Sequence, residues 1–258
     1  MALLEVNGLG KRFGGLAAVN DVTFSVAGGE ILSIIGPNGA GKSTLFKLIS
    51  SFLRPSAGRV IFEGRDITAQ APHRVARLGI VRTFQETTIF REMTALDNVV
   101  VAHHLRARAS LGGFYFATRR ARRDEAKFRK SAREILGSLG LGEVAGQRAR
   151  SLPHGHLRAL GIAIAMATAP KILLLDEPFA GMNPEETDAC VEMVRGIRRR
   201  GVTVLLVEHD MRAVMRISDR IVVLNFGRKI AEGRPAEVRE NPAVIEAYLG
   251  RPDDELGA

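Results

Sequence analysis

Ile31-Leu32-Ser33-Ile34-Ile35 runs directly into Gly36-Pro37-Asn38-Gly39-Ala40-Gly41-Lys42-Ser43-Thr44, and the reading of this stretch decides the fold. The first five residues are mostly aliphatic and stop at glycine, as a strand buried in a parallel sheet does. The next nine match G-x-x-x-x-G-K-[ST], a loop that wraps a phosphate chain. Ser43 to Phe52 then reads as a helix, which gives the strand–loop–helix setting the pattern needs. Gly36, Gly39 and Gly41 let the backbone bend and bring its N–H groups close to an anion. The helix adds the positive end of its dipole. Lys42 is placed to reach the β- and γ-phosphates, and Ser43 to ligate Mg²⁺. The expected ligands are ATP and Mg²⁺, held by residues 36–44.

Outward from this loop, Lys171-Ile172-Leu173-Leu174-Leu175-Asp176-Glu177-Pro178 repeats the logic with carboxylates. An aliphatic strand that ends in two acids leaves charge at the edge of a core unless the acids have a task. Asp176 is placed to hold Mg²⁺ through water and Glu177 to polarise an attacking water. Two more polar residues follow strand-like runs: Gln85 after Gly79 to Phe84, and His209 after Val204 to Val207 and Glu208. In one sheet, both would lie at the ligand-bearing edge. There Gln85 is a candidate contact to Mg²⁺ or the water, and His209 to the γ-phosphate. A lone Gln or His is more often structural, and only the order of these two relative to the stronger motifs singles them out.

Strand-like runs at Val22–Val26, Val60–Phe62, Ile172–Leu175, Val202–Val207 and Ile221–Asn225, with a helical stretch Pro184–Arg200, predict an α/β sheet protein. Between about Thr87 and Arg150 the pattern turns helical. Phe128, Ala132, Ile135, Leu136 and Leu139 recur on one face, and Arg122, Arg123, Lys127, Arg129, Lys130 and Arg133 fill other positions. That basic face is either solvated or meets membrane headgroups or a partner. His103-His104 read as surface residues. The 258 residues allow one large domain, and the net charge of +9 is compatible with nucleic acid, an anionic membrane, phosphate ligands or simply a basic soluble surface. A single cysteine, Cys190, excludes an internal disulfide. No apolar segment approaches the ~20 residues needed to span a bilayer, so any membrane role runs through a partner.

Together and in this order, the motifs resemble the ATP-binding-cassette family over nearly the whole chain. Residues 36–44 look like its Walker A loop, Leu173–Glu177 like Walker B, Gln85 like the Q-loop glutamine and His209 like the switch histidine. Phe13 sits where the family stacks an aromatic on adenine, and Ala180-Gly181-Met182-Asn183-Pro184 resembles the D-loop. Thr83-Phe84-Gln85, Met93–Val99, the long basic insert and Ala247-Tyr248-Leu249-Gly250 narrow the likeness to importers of branched-chain amino acids and related amides or urea. The resemblance implies a P-loop NTPase core with an N-terminal antiparallel β subdomain and an inserted helical subdomain at about residues 87–165. It implies one cassette over residues 1–250 and a polar tail at 251–258. The implied partners are a paralogous ATPase or a second copy of this chain, two integral membrane permease subunits and, indirectly, a periplasmic binding protein, with no nucleic acid. The implied place is the cytoplasmic face of the inner membrane, where this chain looks like the longer of two ATPases.

One segment departs from the family. Where its signature reads L-S-G-G-Q, or L-S-Y-G-Q in this branch, the chain has Leu152-Pro153-His154-Gly155-His156. The family's serine hydroxyl binds the γ-phosphate held by the other subunit, and Pro153 offers neither hydroxyl nor N–H. The expectation is an asymmetric dimer, with the site on this chain's own loop working and the opposite one weakened. His154 and His156, without a third ligand, make a poor metal site. Two other readings stay open: a mainly regulatory nucleotide-binding subunit, and a soluble cassette protein acting on nucleic acid.

Overall fold

The computed structural model describes residues 2–68, 70–83, 89–103 and 119–249, and of residues 119–121 and 249 only the backbone. Gln85, Phe84, Thr87, His104, Gly250 and the tail at 251–258 lie outside the described residues.

The chain divides into two compact units, Met1–Ile80 with Leu174–Ala258, and Val81–Leu173. In the first, β1 (Ala2–Phe13) and β2 (Leu16–Ala27) form a long antiparallel hairpin. β4 (Ala57–Phe62) pairs with the other edge of β1, and β5 (Arg65–Asp66) pairs with β4. β2 is longer than the alternating run Val22–Val26 because Leu16, Ala17 and Val19 pair with Phe13, Arg12 and Lys11 across the hairpin. Backbone pairing extends the strand beyond the side-chain pattern. Leu4, Val6, Val22, Phe24 and Val26 fill one buried face.

The larger sheet runs β10 (Arg228–Gly233), β9 (Arg220–Asn225), β3 (Ile31–Ile35), β8 (Thr203–Val207), β7 (Ile172–Asp176), β6 (Ile80–Arg82). β3 is flanked by parallel partners on both sides, β8 and β9, and β10 returns antiparallel from β9. All residues of β3 and β8 are buried, as their aliphatic sequences predict. Each fully buried Ile or Leu contributes about 1.5–3 kcal/mol. The crossover from β7 to β8 is α6 (Pro184–Arg199), the connection parallel neighbours require. Its start is fixed by Asn183, whose side chain accepts from the Glu186 N–H at 2.9 Å while Glu186 accepts from the Asn183 N–H at 3.0 Å. α1 (Lys42–Ile49) stops before Phe52. Ser50 Oγ donates to the Phe46 carbonyl and Ser51 turns to φ 59°, so the chain leaves the helix there. The remaining helices of this unit are α2 (Pro72–Leu78), α7 (Met211–Ile217), α8 (Pro235–Arg239) and α9 (Pro242–Leu249).

In the second unit, α3 (Ala95–His103), α4 (Arg119–Ser138) and α5 (His154–Ala167) pack on one another. Phe128, Ala132, Ile135, Leu136 and Leu139 of the α4 segment are buried, as their spacing predicts. His103 corrects the sequence reading: it is not a surface residue but 4% exposed, its ring stacked on Phe128 at 5.3 Å. It falls on the side of α3 that meets α4, and an imidazole packs there like any flat ring. Asn98 is buried too, and is engaged by Phe90 N–H and by the Phe90 and Thr94 carbonyls. It fastens the turn before α3, while Phe90 and Met93 on the same turn are exposed.

Candidate nucleotide site

The loop after β3 holds its shape through two glycines. Gly36 has φ 151°, and a Cβ there would lie 2.1 Å from the Leu224 carbonyl oxygen. Gly41 has φ 97°, and a Cβ there would meet the Ala18 carbonyl oxygen at 2.3 Å. Backbone of β9 and β2 therefore presses on the loop where only glycine fits. Ala40 fastens it, its carbonyl accepting from Gly227 N–H at 3.1 Å and its N–H donating to Pro37 at 3.2 Å. Asn38 and Gly39 stand exposed at the loop tip.

Gly41 is also the N-cap of α1, in left-handed conformation and with no side-chain cap. The first-turn amides of Lys42, Ser43 and Thr44 thus have no intrahelical acceptor, and Ser43 beside them is exposed. Lys42 is only 8% exposed. Its ammonium donates to the Gly36 and Pro37 carbonyls at 2.6 and 2.9 Å, spanning the loop from within. Burial lowers its pKa below the usual lysine value, and the carboxylate of Glu177 opposes that. That coupling places the ammonium and the acid at the end of β7 within one electrostatic neighbourhood.

Asp176 and Glu177 sit half-buried where β7 ends. Glu177 adopts φ 50°, a conformation that non-glycine residues avoid, and its N–H donates to the Val207 carbonyl at 2.9 Å. Strain of this kind persists only where surrounding structure imposes it, and it gathers at functional sites. The bond also aligns the end of β7 with the end of β8, so Glu177 and His209 leave the sheet at the same edge. His209 is exposed and its backbone N–H donates to Glu208 at 2.9 Å. Phe13 lies at the end of β1 with its ring 48% exposed, and the Lys11 ammonium stands 5.2 Å from its centroid.

Two contributors escaped the sequence reading. Glu208 is 0% exposed: one carboxylate oxygen accepts from Phe179 N–H at 2.6 Å, the other from His209 and Asp210 N–H at 2.9 and 3.3 Å. It ties the segment after Glu177 to the segment bearing His209. The clue was available, since Glu208 ends an aliphatic strand as Asp176 does. Tyr248, on α9, is the other. Partial burial raises its phenol pKa, with the nearby Gly36 backbone opposing the shift, which puts the C-terminal helix beside the start of the phosphate loop.

Residues 19–180 match the family described as "ABC transporter", and residues 228–254 match "Branched-chain amino acid ATP-binding cassette transporter". The chain belongs to the ABC transporter family. It is 46% identical over 249 residues to the high-affinity branched-chain amino acid transport ATP-binding protein BraF of Pseudomonas aeruginosa, covering 96% of this chain and 98% of BraF. It is 45% identical over the same coverage to LivG of Escherichia coli K12, a protein of the same description. Among solved structures it resembles a nucleotide-free ATP-binding cassette from an ABC transporter, at 34% identity and TM-score 0.85, with 97% of this chain and 100% of that one aligned. A solved ATP-binding cassette of an ABC transporter in its ADP conformation matches equally, at 34% identity and TM-score 0.85.

In this cassette the departing segment opens α5. Pro153 is the N-cap, with φ −57° and ψ 158° and no side-chain cap, and Leu157 N–H donates to its carbonyl at 3.0 Å. The helix forms without the hydroxyl, as expected for a proline at a helix start. Pro153 and His154 are exposed, Gly155 and His156 half-buried, and Leu152 buried. His156 Nδ1 is a buried atom with no partner among the described residues. Groups of three or more His, Cys, Asp or Glu able to hold a metal are absent among the described residues.

Proposed function

We propose that this chain hydrolyses ATP to power import of branched-chain amino acids or closely related solutes. The observation that carries the reading is the shared edge of β3, β7 and β8. There an uncapped helix start, a buried lysine, two carboxylates and a histidine converge. Its support in kind is the similarity to BraF and LivG over nearly the full length. The lipopolysaccharide export ATP-binding protein LptB of Acidithiobacillus ferridurans is also similar, at 34% identity. The higher identity and the branched-chain match at residues 228–254 favour import.

The amides of residues 39–44 and Lys42 take the β- and γ-phosphates. Ser43 and Asp176, with Gln85, would hold Mg²⁺, which when bound would neutralise charge on the transferring phosphate. Glu177 accepts the proton of the attacking water, and His209 meets the γ-phosphate oxygen. Phe13 stacks on adenine. Glu208 acts as a positioning residue, holding Glu177's loop and His209 in one register. The chain works as one cassette over residues 1–250. It pairs with a paralogous cassette whose intact signature completes this chain's site, while Pro153 weakens the reciprocal one. Two permease subunits hold it peripherally at the inner membrane's cytoplasmic face, and exposed Phe90 and Met93 suit an apolar contact with one of them. No helix among the described residues is long and apolar enough to cross a membrane.

The test is uptake of radiolabelled leucine by proteoliposomes carrying the complete transporter. Uptake that requires internal ATP and vanishes with Glu177→Gln is expected. ATP-independent uptake, or outward transport alone, would overturn the reading.

A further inference from the structure

α4 carries charge that nothing among the described residues answers. Arg122, Arg123, Lys127, Lys130 and Arg133 are exposed, and none makes a hydrogen bond or ion pair among the described residues. At 100° per residue they share the side opposite buried Phe128, Ala132, Ile135 and Leu136. The strip runs about 16 Å along the helix. Glu134 is the one acid on it. Arg129, at its margin, is turned aside to Asp97 and Glu125 at 3.2 and 3.0 Å. On α6, by contrast, Arg195 meets Glu192 at 2.6 Å and Arg198 meets Asp219 at 3.1 Å. The exposed arginines without a partner among the described residues, such as Arg199, Arg200 and Arg239, do not form a strip of five along one helix face.

The placement also works against the helix. The first turn holds arginines and no acid, and cations at a helix N-terminus are disfavoured by its dipole. A merely solvated face has no need of that arrangement. The strip carries no aromatic residue, and Ala126 is its one apolar side chain. Nucleic-acid grooves use stacking rings, and protein interfaces use apolar anchors. A sheet of mobile anions needs neither, and accepts lysine and arginine alike.

We propose that the exposed face of α4 docks on the anionic headgroups of a membrane leaflet. The transporter reading enters only in putting a membrane within reach. Flotation of the full chain with vesicles of phosphatidylcholine plus phosphatidylglycerol, against phosphatidylcholine alone, tests this without any permease present. Binding to the anionic vesicles only, released by high salt, is expected. The triple variant Arg123→Glu/Lys127→Glu/Lys130→Glu should bind at least about 100-fold more weakly, at about fivefold per charge, with its melting temperature, and its ATPase activity measured together with the paralogous cassette, unchanged. The charge-matched control Arg199→Glu/Arg200→Glu/Arg239→Glu should still float. No flotation, equal loss in the control, or tighter binding to duplex DNA or RNA than to the vesicles would overturn the proposal. Because ATPase activity is read separately, such a failure leaves the catalytic reading standing.

Discussion

α1 and α6 begin in opposite ways. α6 closes on itself: Asn183 and Glu186 exchange hydrogen bonds with each other's backbone, and acids fill the first turn. α1 begins at a left-handed glycine with no side-chain cap, so its first-turn amides have no side-chain acceptor. α5 begins like α1, uncapped, with Pro153 where a hydroxyl would stand. A helix start that satisfies itself has no donors left for a ligand, whereas an uncapped start after a glycine-rich loop leaves them available. On the proposed function, α1 and α5 are the starts that meet phosphate, and Pro153 leaves α5 one hydrogen bond short.

The comparison can be broken in several ways. The largest expected effect lies on the α1 side. Glu177→Gln should lower steady-state turnover about 10²- to 10⁴-fold, the range for loss of a general base, while ATP binding measured by fluorescence titration persists. Near-normal turnover would remove Glu177 from the mechanism. Next comes α5. Pro153→Ser restores a hydroxyl able to reach a charged oxygen, a bond worth about 1.5–3 kcal/mol, and should speed hydrolysis at the reciprocal site about 10- to 150-fold. Single-site turnover in a dimer whose other site carries the Glu177→Gln change would read it.

Glu208→Gln should cost about tenfold in kcat with KM for ATP unchanged. A carboxylate accepts at both oxygens, whereas an amide must point its NH₂ at one set of the Phe179, His209 and Asp210 donors. A change in KM alone would mean Glu208 serves binding instead. Lys42 gives a pH dependence. Burial lowers its pKa, so the folded state sheds this proton before the unfolded state does. Its charge therefore costs stability at neutral pH, and that cost is relieved as pH rises from the lowered pKa toward the ordinary lysine value. ATP needs the charged form, so affinity should fall over the same alkaline range, with proton uptake on binding measurable by calorimetry in buffers of different ionisation heat. The smallest effect belongs to α6: Asn183→Ala should lower stability by about 1 kcal/mol in urea denaturation and leave ATPase activity alone.

Much of this was legible in the chain. The aliphatic runs Ile31–Ile35 and Ile172–Leu175 name buried strands because a parallel sheet covered on both faces admits little else. Gly36 to Thr44 names its ligand because few other chemistries need that glycine spacing. Glu208 was harder, since its partners are backbone amides, one of them 29 residues away, and no side-chain pattern reports them. His103 was misread for a similar reason: its neighbour Phe128 lies on another helix. The strand β2 outran its alternation because backbone pairing carried it.

The central claim is that this chain's phosphate loop works only when another subunit supplies the missing hydrogen bond. Steady-state ATPase activity of the purified chain alone, and mixed with its paralogous cassette, tests it most directly, with Glu177→Gln as the inactive control. Little activity alone and strong stimulation by the partner, abolished by Glu177→Gln in this chain, is the predicted result. Full activity from the chain alone would contradict it, showing that Pro153 serves a second copy as well as a hydroxyl would.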